Sequence, residues 1–434
     1  MLTTLNNAAL YERGFIPDMR VVSLILSRVG GRHSLKAGMQ WAFGPVGAEY
    51  TANADLVQIY RSGVPDSVNV YNTPTRFFTS VDVNRGLFIQ DSIRLNRFTV
   101  NAGPRFDQLR TTITDTELGA SRFLPARSFS QDDVVDSAGN SMDAVPDSKN
   151  LSPRVSVSYD LFGNARTALK ASYNRYVTAW AGGFANRYNP MTFASDQRRW
   201  IDTTGDDIAQ DSEIGPSQNA NFGVRQSRFP NLDLSREYNV EYTASVQHAV
   251  VPGISVLGAW FRRTYENSEK SINELLTLDD YQAFQATSPL GNGEAITIYN
   301  PNPAKQGQVR IVDTNSEVNR RTYDGFEASF NARLPRGLTM FGGWSSDRMV
   351  RVSCDTNDPN LLRFCDERDY DIPFRSDFKL SGAIPLPWGL QISEPELRRR
   401  ARPAAHDPAG PPHPGRAAGQ VLSRKSSPVK DLTR

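Results

Sequence analysis

Hydrophobic and polar residues alternate with a period of two along several stretches of the chain. The clearest stretch runs from Arg236 to Arg263, REYNVEYTASVQHAVVPGISVLGAWFRR, and holds two runs joined at Val251-Pro252-Gly253. Successive side chains of a β-strand point to opposite faces, so this pattern predicts strands with one apolar and one polar face. The apolar face of the first run consists of Tyr238, Val240, Tyr242, Ala244 and Val246.

Tight turns rich in Gly, Asn and Pro join such runs in pairs and predict six β-hairpins. The flanking runs are about 9 to 13 residues long, whereas ordinary strands have about 5 to 6 and tilted membrane-spanning strands have about 9 to 11. Their length therefore favours strands that cross a bilayer. The six turns are Val29-Gly30-Gly31-Arg32, Leu95-Asn96-Arg97, Leu161-Phe162-Gly163-Asn164, Val251-Pro252-Gly253, Leu334-Pro335-Arg336-Gly337 and Leu386-Pro387-Trp388-Gly389.

Long polar segments connect the hairpins, at about residues 44–84, 111–151, 177–235, 268–321 and 352–374. Loops beyond about 12 to 15 residues are uncommon in compact soluble domains. Alternating short and long connections are typical of outer-membrane barrels, whose periplasmic turns are short and whose extracellular loops are long. We therefore predict an all-β fold, a partial transmembrane antiparallel β-barrel of up-and-down hairpins with about 12 strands.

In such a barrel the apolar faces turn outward to the outer-membrane lipid, and polar residues such as Glu241, Gln247 and Glu327 line an aqueous lumen. Closure is required because backbone groups without hydrogen bonds cost several kcal/mol each in hydrocarbon. A soluble sandwich would instead bury the apolar faces between two sheets. Aromatic residues near strand ends fit interfacial girdles: Tyr173, Tyr176, Trp180, Trp260, Tyr265, Trp344 and Trp388.

Composition agrees with strands that are half exposed to water, since only 39% of the 434 residues are hydrophobic. No run of 18 apolar residues predicts a transmembrane helix. The start, MLTTLNNAALYERGF, lacks the zones of a signal peptide, so the chain is either cytosolic or a fragment of a longer exported protein.

Outside residues 394–434 the chain carries 40 basic and 43 acidic residues, and this mildly acidic balance predicts no nucleic-acid partner.

Four segments together resemble the barrel region of TonB-dependent outer-membrane receptors, specifically the Oar-like group. They are residues 85–109, 151–177, 235–263 and 363–393, for example RGLFIQDSIRLNRFTVNAGPRFDQL and LSPRVSVSYDLFGNARTALKASYNRYV. The resemblance implies a 22-stranded barrel in complete members, an N-terminal plug, often a carboxypeptidase-regulatory-like domain before it, and energy coupling through the TonB system. The hairpins of this chain supply only about 12 of those strands.

Three parts follow along the chain: a lead-in segment (1–18), the partial outer-membrane barrel (19–393) and a tail (394–434). The strand pattern stops after Ser393, and the tail holds seven Pro, seven Arg and no aromatic residue. Such a composition is typical of disorder. We interpret the tail as disordered or as out-of-frame translation.

Candidate chemistry is sparse. His33 and His248 are isolated within strand patterns, and catalytic motifs are missing, so we predict no enzyme and no catalytic residue. One acidic loop, DTTGDDIAQDSE from Asp202, resembles a calcium loop because oxygen ligands stand at positions 1, 3, 5, 9 and 12. Its sixth position is Asp207 where calcium loops have Gly, and a solvated acidic loop is the alternative. The candidate calcium ligands are Asp202, Thr204, Asp206, Gln210 and Glu213.

The only two cysteines, Cys354 and Cys365, stand in one loop segment. Outside the cell they would form a disulfide, which in the chain-entropy model stabilises by roughly 3 kcal/mol. In the cytosol they would be free thiols.

Three functions from different classes fit these observations. The first is a fragment of a TonB-dependent receptor barrel in the outer membrane of a Gram-negative-type bacterium, binding an extracellular ligand for active uptake in the complete protein. The second is an outer-membrane adhesion or structural barrel without transport. The third is a soluble, secreted binding protein of the β-propeller type. The polar lumen residues do not identify the ligand.

Overall fold

The computed structural model describes residues 4–6, 12–219, 221–288, 293–305 and 307–401. Within these residues the regular secondary structure is almost entirely β-strand. Most of the predicted tail, residues 402–434, lies outside the described residues.

Thirteen strands form the main sheet. They are β1 (Glu12–Pro17), β2 (Arg20–Gly30), β3 (His33–Thr51), β4 (Thr75–Leu95), β5 (Phe98–Ile113), β6 (Asp147–Asp160), β7 (Thr167–Val177), β8 (Tyr238–Val251), β9 (Ile254–Glu266), β10 (Arg320–Arg333), β11 (Thr339–Val352), β12 (Arg375–Pro385) and β13 (Gln391–Ala401).

Each strand pairs antiparallel with its neighbours in chain order, from β3 through to β13. The first two strands, β1 and β2, both pair with β3 and continue one another along the same edge. Between them, the chain passes Gly44 so closely that a Cβ there would lie 2.1 Å from the Asp18 carbonyl oxygen. Gly44 also has a φ of +132°, which only glycine adopts readily. Because β1 and β2 share one edge, the thirteen strands lie side by side as twelve, which confirms the predicted fold class.

The sheet is not closed, because among the described residues its two edges, β1–β2 and β13, do not pair with each other. The six short turns lie together at one end of the strands and the long loops at the other, as alternating hairpins require. A propeller would consist of separate four-stranded blades. One continuous sheet rules out that alternative.

The predicted faces are confirmed by the strand register. Tyr242, opposite Tyr173, and Val246, opposite Leu169, lie on one face with 45% and 43% of their surface exposed. The other face carries Glu241, paired with Arg263, together with Gln247 and Glu327. Because a strand's side-chain period is two, one apolar face runs across the whole sheet.

The aromatic residues divide between the two faces. Tyr173, Trp260 and Trp344 lie on the apolar face, as girdle residues would. Tyr176 and Tyr265 lie on the polar face instead, where Arg154 and Arg321 stack on their rings at 4.8 and 4.4 Å. Trp180 stacks on Phe184 in a loop, and Trp388, in the last turn, is 92% exposed. The girdle prediction was wrong for these three residues. Tyr176 and Tyr265 face the polar side of the sheet, and Trp180 lies in a loop rather than in a strand.

Element boundaries differ from the sequence estimates in three places. The first two long loops are shorter than expected. The first is shortened because β3 continues to Thr51 and β4 already starts at Thr75. The second is shortened because β5 continues to Ile113 and β6 already starts at Asp147. Part of the lead-in segment, Glu12–Pro17, is a strand of the sheet. The last strand runs eight residues past Ser393 to Ala401, with Arg400 opposite Asp377.

The long loops contain their own short elements. Leu56–Arg61, Val64–Tyr71 and Ser195–Arg199 form one loop sheet, which Thr4–Asn6, from the segment before β1, joins at its edge. Thr116–Leu118 pairs with Arg127–Phe129, and Tyr281–Thr287 pairs with Ala295–Pro301. A further loop sheet consists of Arg228–Pro230, Ser268–Asn273 and Ile311–Ser316. One α-helix spans Pro359–Leu362, and 3₁₀ turns include Phe184–Tyr188 and Asp211–Glu213. No helix in the described part of the chain is long and apolar enough to cross a membrane.

Candidate functional site

The long loops pack together at one end of the sheet into what we call the cap. We number its loops as loop 1 (52–74), loop 2 (114–146), loop 3 (178–237), loop 4 (267–319) and loop 5 (353–374). The hydrophobic core of the molecule lies here rather than between strands, because the apolar face of the sheet is exposed. One buried cluster joins strand ends to loops 2 and 3: Ala48, Phe77, Ile113, Phe129, Val134, Val145, Phe184, Ala185, Tyr188 and Met191.

Loop 3 folds over the polar face of the sheet. A Cβ on Gly182 would lie 2.8 Å from Cγ2 of Val81 in β4, so the loop backbone rests directly on that strand and requires glycine. The Thr75 hydroxyl donates to the Met191 carbonyl at 2.5 Å, and the Asn72 side chain donates to the Thr192 carbonyl at 2.6 Å. Loop 3 therefore covers the end of the polar face nearest the long loops.

A second buried cluster joins loops 1, 2 and 3 around Trp200, which is 1% exposed. Its members are Val68, Val70, Leu124, Trp200, Ala209 and Phe222. Tyr60 meets the Trp200 ring edge-on at 5.5 Å. This packing fixes loops that the sequence pattern presents only as polar connections.

Loops 3 and 4 are joined by a buried carboxylate, Asp313, which has no exposed surface. Arg228 donates to both of its oxygens, at 2.6 and 2.8 Å. Tyr188 and Ser271 donate to the same carboxylate at 2.9 and 2.6 Å. Burial and the nearby Asp313 charge raise the pKa of Tyr188. A bidentate Arg–carboxylate pair has a fixed geometry, so this network sets the position of one loop against the other.

Loops 4 and 5 are joined by polar contacts as well. Lys270 pairs with Asp355 at 2.6 Å, and the Asn357 side chain donates to the carbonyls of Asn273 and Leu276 at 2.7 Å. Each of the five loops thus contacts another, and the cap is a connected structure.

The five candidate calcium residues lie in one turn of loop 3, where protein donors occupy their oxygens. The Asp202 carboxylate accepts from the amides of Gly205 and Asp207 at 2.7 and 3.1 Å. Asp206 accepts from the Gln210 side chain at 2.9 Å. Asp207 has a φ of +57°, so the sharp turn forms without glycine. The described residues contain no group of three His, Cys, Asp or Glu side chains placed to hold a metal ion.

The last of these residues, Glu213, is buried at the centre of the turn. One carboxylate oxygen accepts from the backbone amides of Thr203 and Thr204 at 2.8 and 3.0 Å, and the other accepts from Trp200 Nε1 at 3.3 Å. Burial alone would raise the pKa of Glu213, but these hydrogen bonds outweigh it and lower the pKa to about 2. Glu213 is therefore ionised and acts as an internal acceptor for the turn.

Loop 5 contains the cysteine pair. In the structure Cys354 and Cys365 form a disulfide, with Cα atoms 4.8 Å apart. The Ser353 amide donates to the Cys365 carbonyl at 2.7 Å beside it. The bridge closes the base of the loop next to the end of β11.

The polar face of the sheet carries charges of both signs and holds two open cavities of about 770 and 600 Å³. Lys170, Glu327 and Asp377 line the first, and Lys36, Arg105 and Arg154 line the second. Both volumes fall within the roughly 300 to 1,000 Å³ of small-molecule sites. The polar face thus offers recesses of small-molecule size.

The two histidines of the strands lie on the other face. His33 Nδ1 lies 2.6 Å from the Asp91 carboxylate, and His248 Nδ1 lies 2.9 Å from the Thr167 hydroxyl.

Sequence reasoning missed the cap. Trp200, Phe184 and Asp313 follow no periodic pattern, and the alternation that identifies strands gives no information about irregular loops. Segments 123–145 and 180–222 nevertheless contain many large apolar residues. Because solvated loops do not need such residues, they could have indicated that these loops are packed.

The sequence matches the family model for the TonB dependent receptor-like β-barrel over residues 4–391. The chain belongs to this TonB-dependent receptor family. It is therefore an outer-membrane β-barrel protein of a family of receptors and transporters, with its long loops extracellular. The soluble and cytosolic alternatives are wrong.

Three solved structures illustrate the likeness. The alcaligin outer-membrane receptor FauA of Bordetella pertussis is 12% identical, with 90% of this chain and 47% of that chain covered and a TM-score of 0.40. The ferric-catecholate import receptor Fiu of E. coli K12 is 10% identical, with 85% of this chain and 52% of that chain covered and a TM-score of 0.37. A double mutant of the Serratia marcescens hemophore receptor HasR, in complex with its hemophore HasA and heme, is 11% identical (92% and 62% covered, TM-score 0.39).

The chain spans about half to three fifths of the length of these receptor structures. No curated protein matches the sequence.

Proposed function

We propose that this chain is the ligand-binding barrel portion of a TonB-dependent receptor, of the Oar-like group, that takes up an extracellular compound when the protein is complete. The observation that carries the proposal is the cap: loop 3 packs inward onto the polar face through Gly182 and Met191. A structured cap over an aqueous lumen provides concave surface for a ligand. Energy for release into the periplasm would come from a TonB partner contacted through a plug domain.

An experiment in the native host separates uptake from adhesion. The gene for this chain is deleted in one strain and TonB is removed in another, and the culture media of both are compared with wild type by mass spectrometry. An uptake receptor predicts that the same extracellular compound accumulates in both media. An adhesion or structural barrel predicts no shared compound, together with loss of surface attachment only in the strain that lacks this chain.

Calcium binding by Asp202, Thr204, Asp206, Gln210 and Glu213 is a separate proposal, supported by the ligand spacing alone. A cation would have to displace the backbone amides that now donate to Asp202. Titration calorimetry of the whole chain with calcium chloride tests it, and no heat of binding at millimolar calcium would remove it.

A further inference from the structure

A small cavity of about 140 Å³ lies inside loop 3, between segments 187–195 and 221–228, and Asn219 also contributes to its wall. Every lining residue comes from this one loop. The cavity is thus separate from the two larger cavities of the sheet and belongs to the extracellular cap.

The cavity lining is rich in hydrogen-bond donors. Three arginines (Arg187, Arg225 and Arg228) contribute to the wall, and carboxamides and hydroxyls make up most of the rest. No Asp or Glu lines it among the described residues. Arginine can only donate, and its planar guanidinium matches carboxylate, phosphate and sulfate groups. This lining therefore favours an oxyanion over a cation or an apolar group.

Two of the arginines are held in place by carboxylates outside the cavity. Arg228 is fixed by Asp313, and Arg187 pairs with Glu269. Their positive charges are partly balanced, but their orientation is fixed before any ligand arrives. Preorganised donors lose less entropy on binding than flexible ones.

Two donors remain for a ligand. Arg225 is exposed and makes no ion pair or side-chain hydrogen bond within the described part of the chain. Asn189 is 2% exposed; its Oδ1 accepts from the Met191 amide at 2.8 Å, while its Nδ2 has no hydrogen-bond partner there. A buried donor without a partner costs about 1 to 3 kcal/mol, and an acceptor on a ligand would recover that cost.

The size of the cavity limits what it can hold. Sites that enclose a whole small molecule measure about 300 to 1,000 Å³, so a cavity of about 140 Å³ accepts one functional group. We propose that this cavity binds an oxyanion, the carboxylate, phosphate or sulfate group of the extracellular ligand. The inference rests on the proposed function and names the chemistry through which the receptor recognises its ligand.

The test uses the whole chain in detergent and three probes: inorganic phosphate, inorganic sulfate and citrate. Binding is measured by titration calorimetry for the wild type, Arg225→Gln and Asn189→Asp. Asn189→Asp keeps the acceptor for the Met191 amide but replaces the free donor with a carboxylate. Arg199→Gln is the matched control, because Arg199 is an exposed arginine of the same loop that does not line the cavity.

We expect the wild type to bind at least one probe, and each cavity variant to weaken that binding by about tenfold or more, as loss of one charge-assisted hydrogen bond does. Arg199→Gln should bind as the wild type does. Citrate binding without phosphate or sulfate binding would identify a carboxylate ligand, and the reverse would identify an inorganic-type oxyanion. Heat-modifiable mobility on gels verifies that each variant is folded.

Two outcomes would overturn the oxyanion site: no probe binds the wild type at millimolar concentration, or all variants bind equally. If a shared compound still accumulates when the gene or TonB is removed, only the oxyanion site has failed. If the probes bind as expected but no compound accumulates in either medium, the site holds and the uptake function has failed.

Discussion

At the scale of single residues, Glu213 stabilises the acidic turn of loop 3 from Asp202 to Glu213, whose one regular element is the short 3₁₀ turn Asp211–Glu213. Its buried carboxylate accepts from Thr203, Thr204 and Trp200, and its pKa is lowered to about 2 from an ordinary 4.5. A carboxyl whose folded pKa is depressed stabilises the fold above its unfolded pKa, and that contribution is lost as the pH falls through the folded value. For Glu213 the window runs from about pH 4.5 down to about pH 2.

We predict that Glu213→Gln loosens this turn at neutral pH. The glutamine places an NH₂ group where Trp200 Nε1 needs an acceptor, so two donors face each other, and the amide oxygen accepts more weakly than a carboxylate. Hydrogen-exchange protection factors of the Thr203 and Thr204 amides should fall at pH 7. In the wild type they should fall only below about pH 4.5.

Asp233→Asn is the control, since Asp233 is an exposed acid of the same loop. Unchanged protection in Glu213→Gln would contradict the role assigned to the carboxylate. If a chelator lowers wild-type protection, calcium contributes to the turn.

At the scale of elements, loop 5 is held closed by the Cys354–Cys365 disulfide. Arg363 lies between the two cysteines with 51% of its side chain exposed, so trypsin can cut inside the bridged segment. We predict that the two fragments produced by a trypsin cut at Arg363 stay joined on a non-reducing gel and separate on a reducing gel. Alkylation without reductant should add no mass.

The double variant Cys354→Ser/Cys365→Ser separates the bridge from the rest of the loop. It should be cut faster at Arg363, because loss of a bridge over a loop of this size removes roughly 3 kcal/mol in the chain-entropy model. Separation of the two Arg363 fragments on the non-reducing gel of the wild type would show that the thiols are free.

At the scale of the whole molecule, the two faces of the sheet meet different solvents. Val155 lies on the apolar face opposite Tyr173, and the next residue, Ser156, lies on the polar face opposite Asn101. We predict that Val155→Arg lowers the free energy of unfolding by about 2 to 4 kcal/mol if it lies near the bilayer midplane, and less toward the interface. Ser156→Arg should cost under about 1 kcal/mol, because its side chain meets water.

Urea titration of the protein in phospholipid vesicles measures both variants. The adjacent pair is a matched comparison, since both changes introduce the same charge into the same strand. Equal destabilisation, or a larger effect for Ser156→Arg, would mean that the apolar face does not contact lipid.

The sequence by itself determined the sheet. Tyr242, Val246, Glu241 and Gln247 lie on the faces that alternation predicts, because a strand's side-chain period is fixed by the backbone and needs no information from distant residues. Turn residues such as Pro252-Gly253 likewise act locally. The order of short turns and long loops followed from the same local signals.

Only the tertiary structure decided the cap. Arg228 and Asp313 are 85 positions apart, and Gly182 meets Val81 although three strands, β5, β6 and β7, separate them along the chain. Irregular backbone imposes no period, so nothing local marks Trp200 or Phe184 as buried. Asp202 and Glu213 show the same limit: their spacing suggested cation ligands, whereas in the structure backbone amides occupy their oxygens. Pairing between distant segments fixes these contacts, and it exists only once the chain has folded.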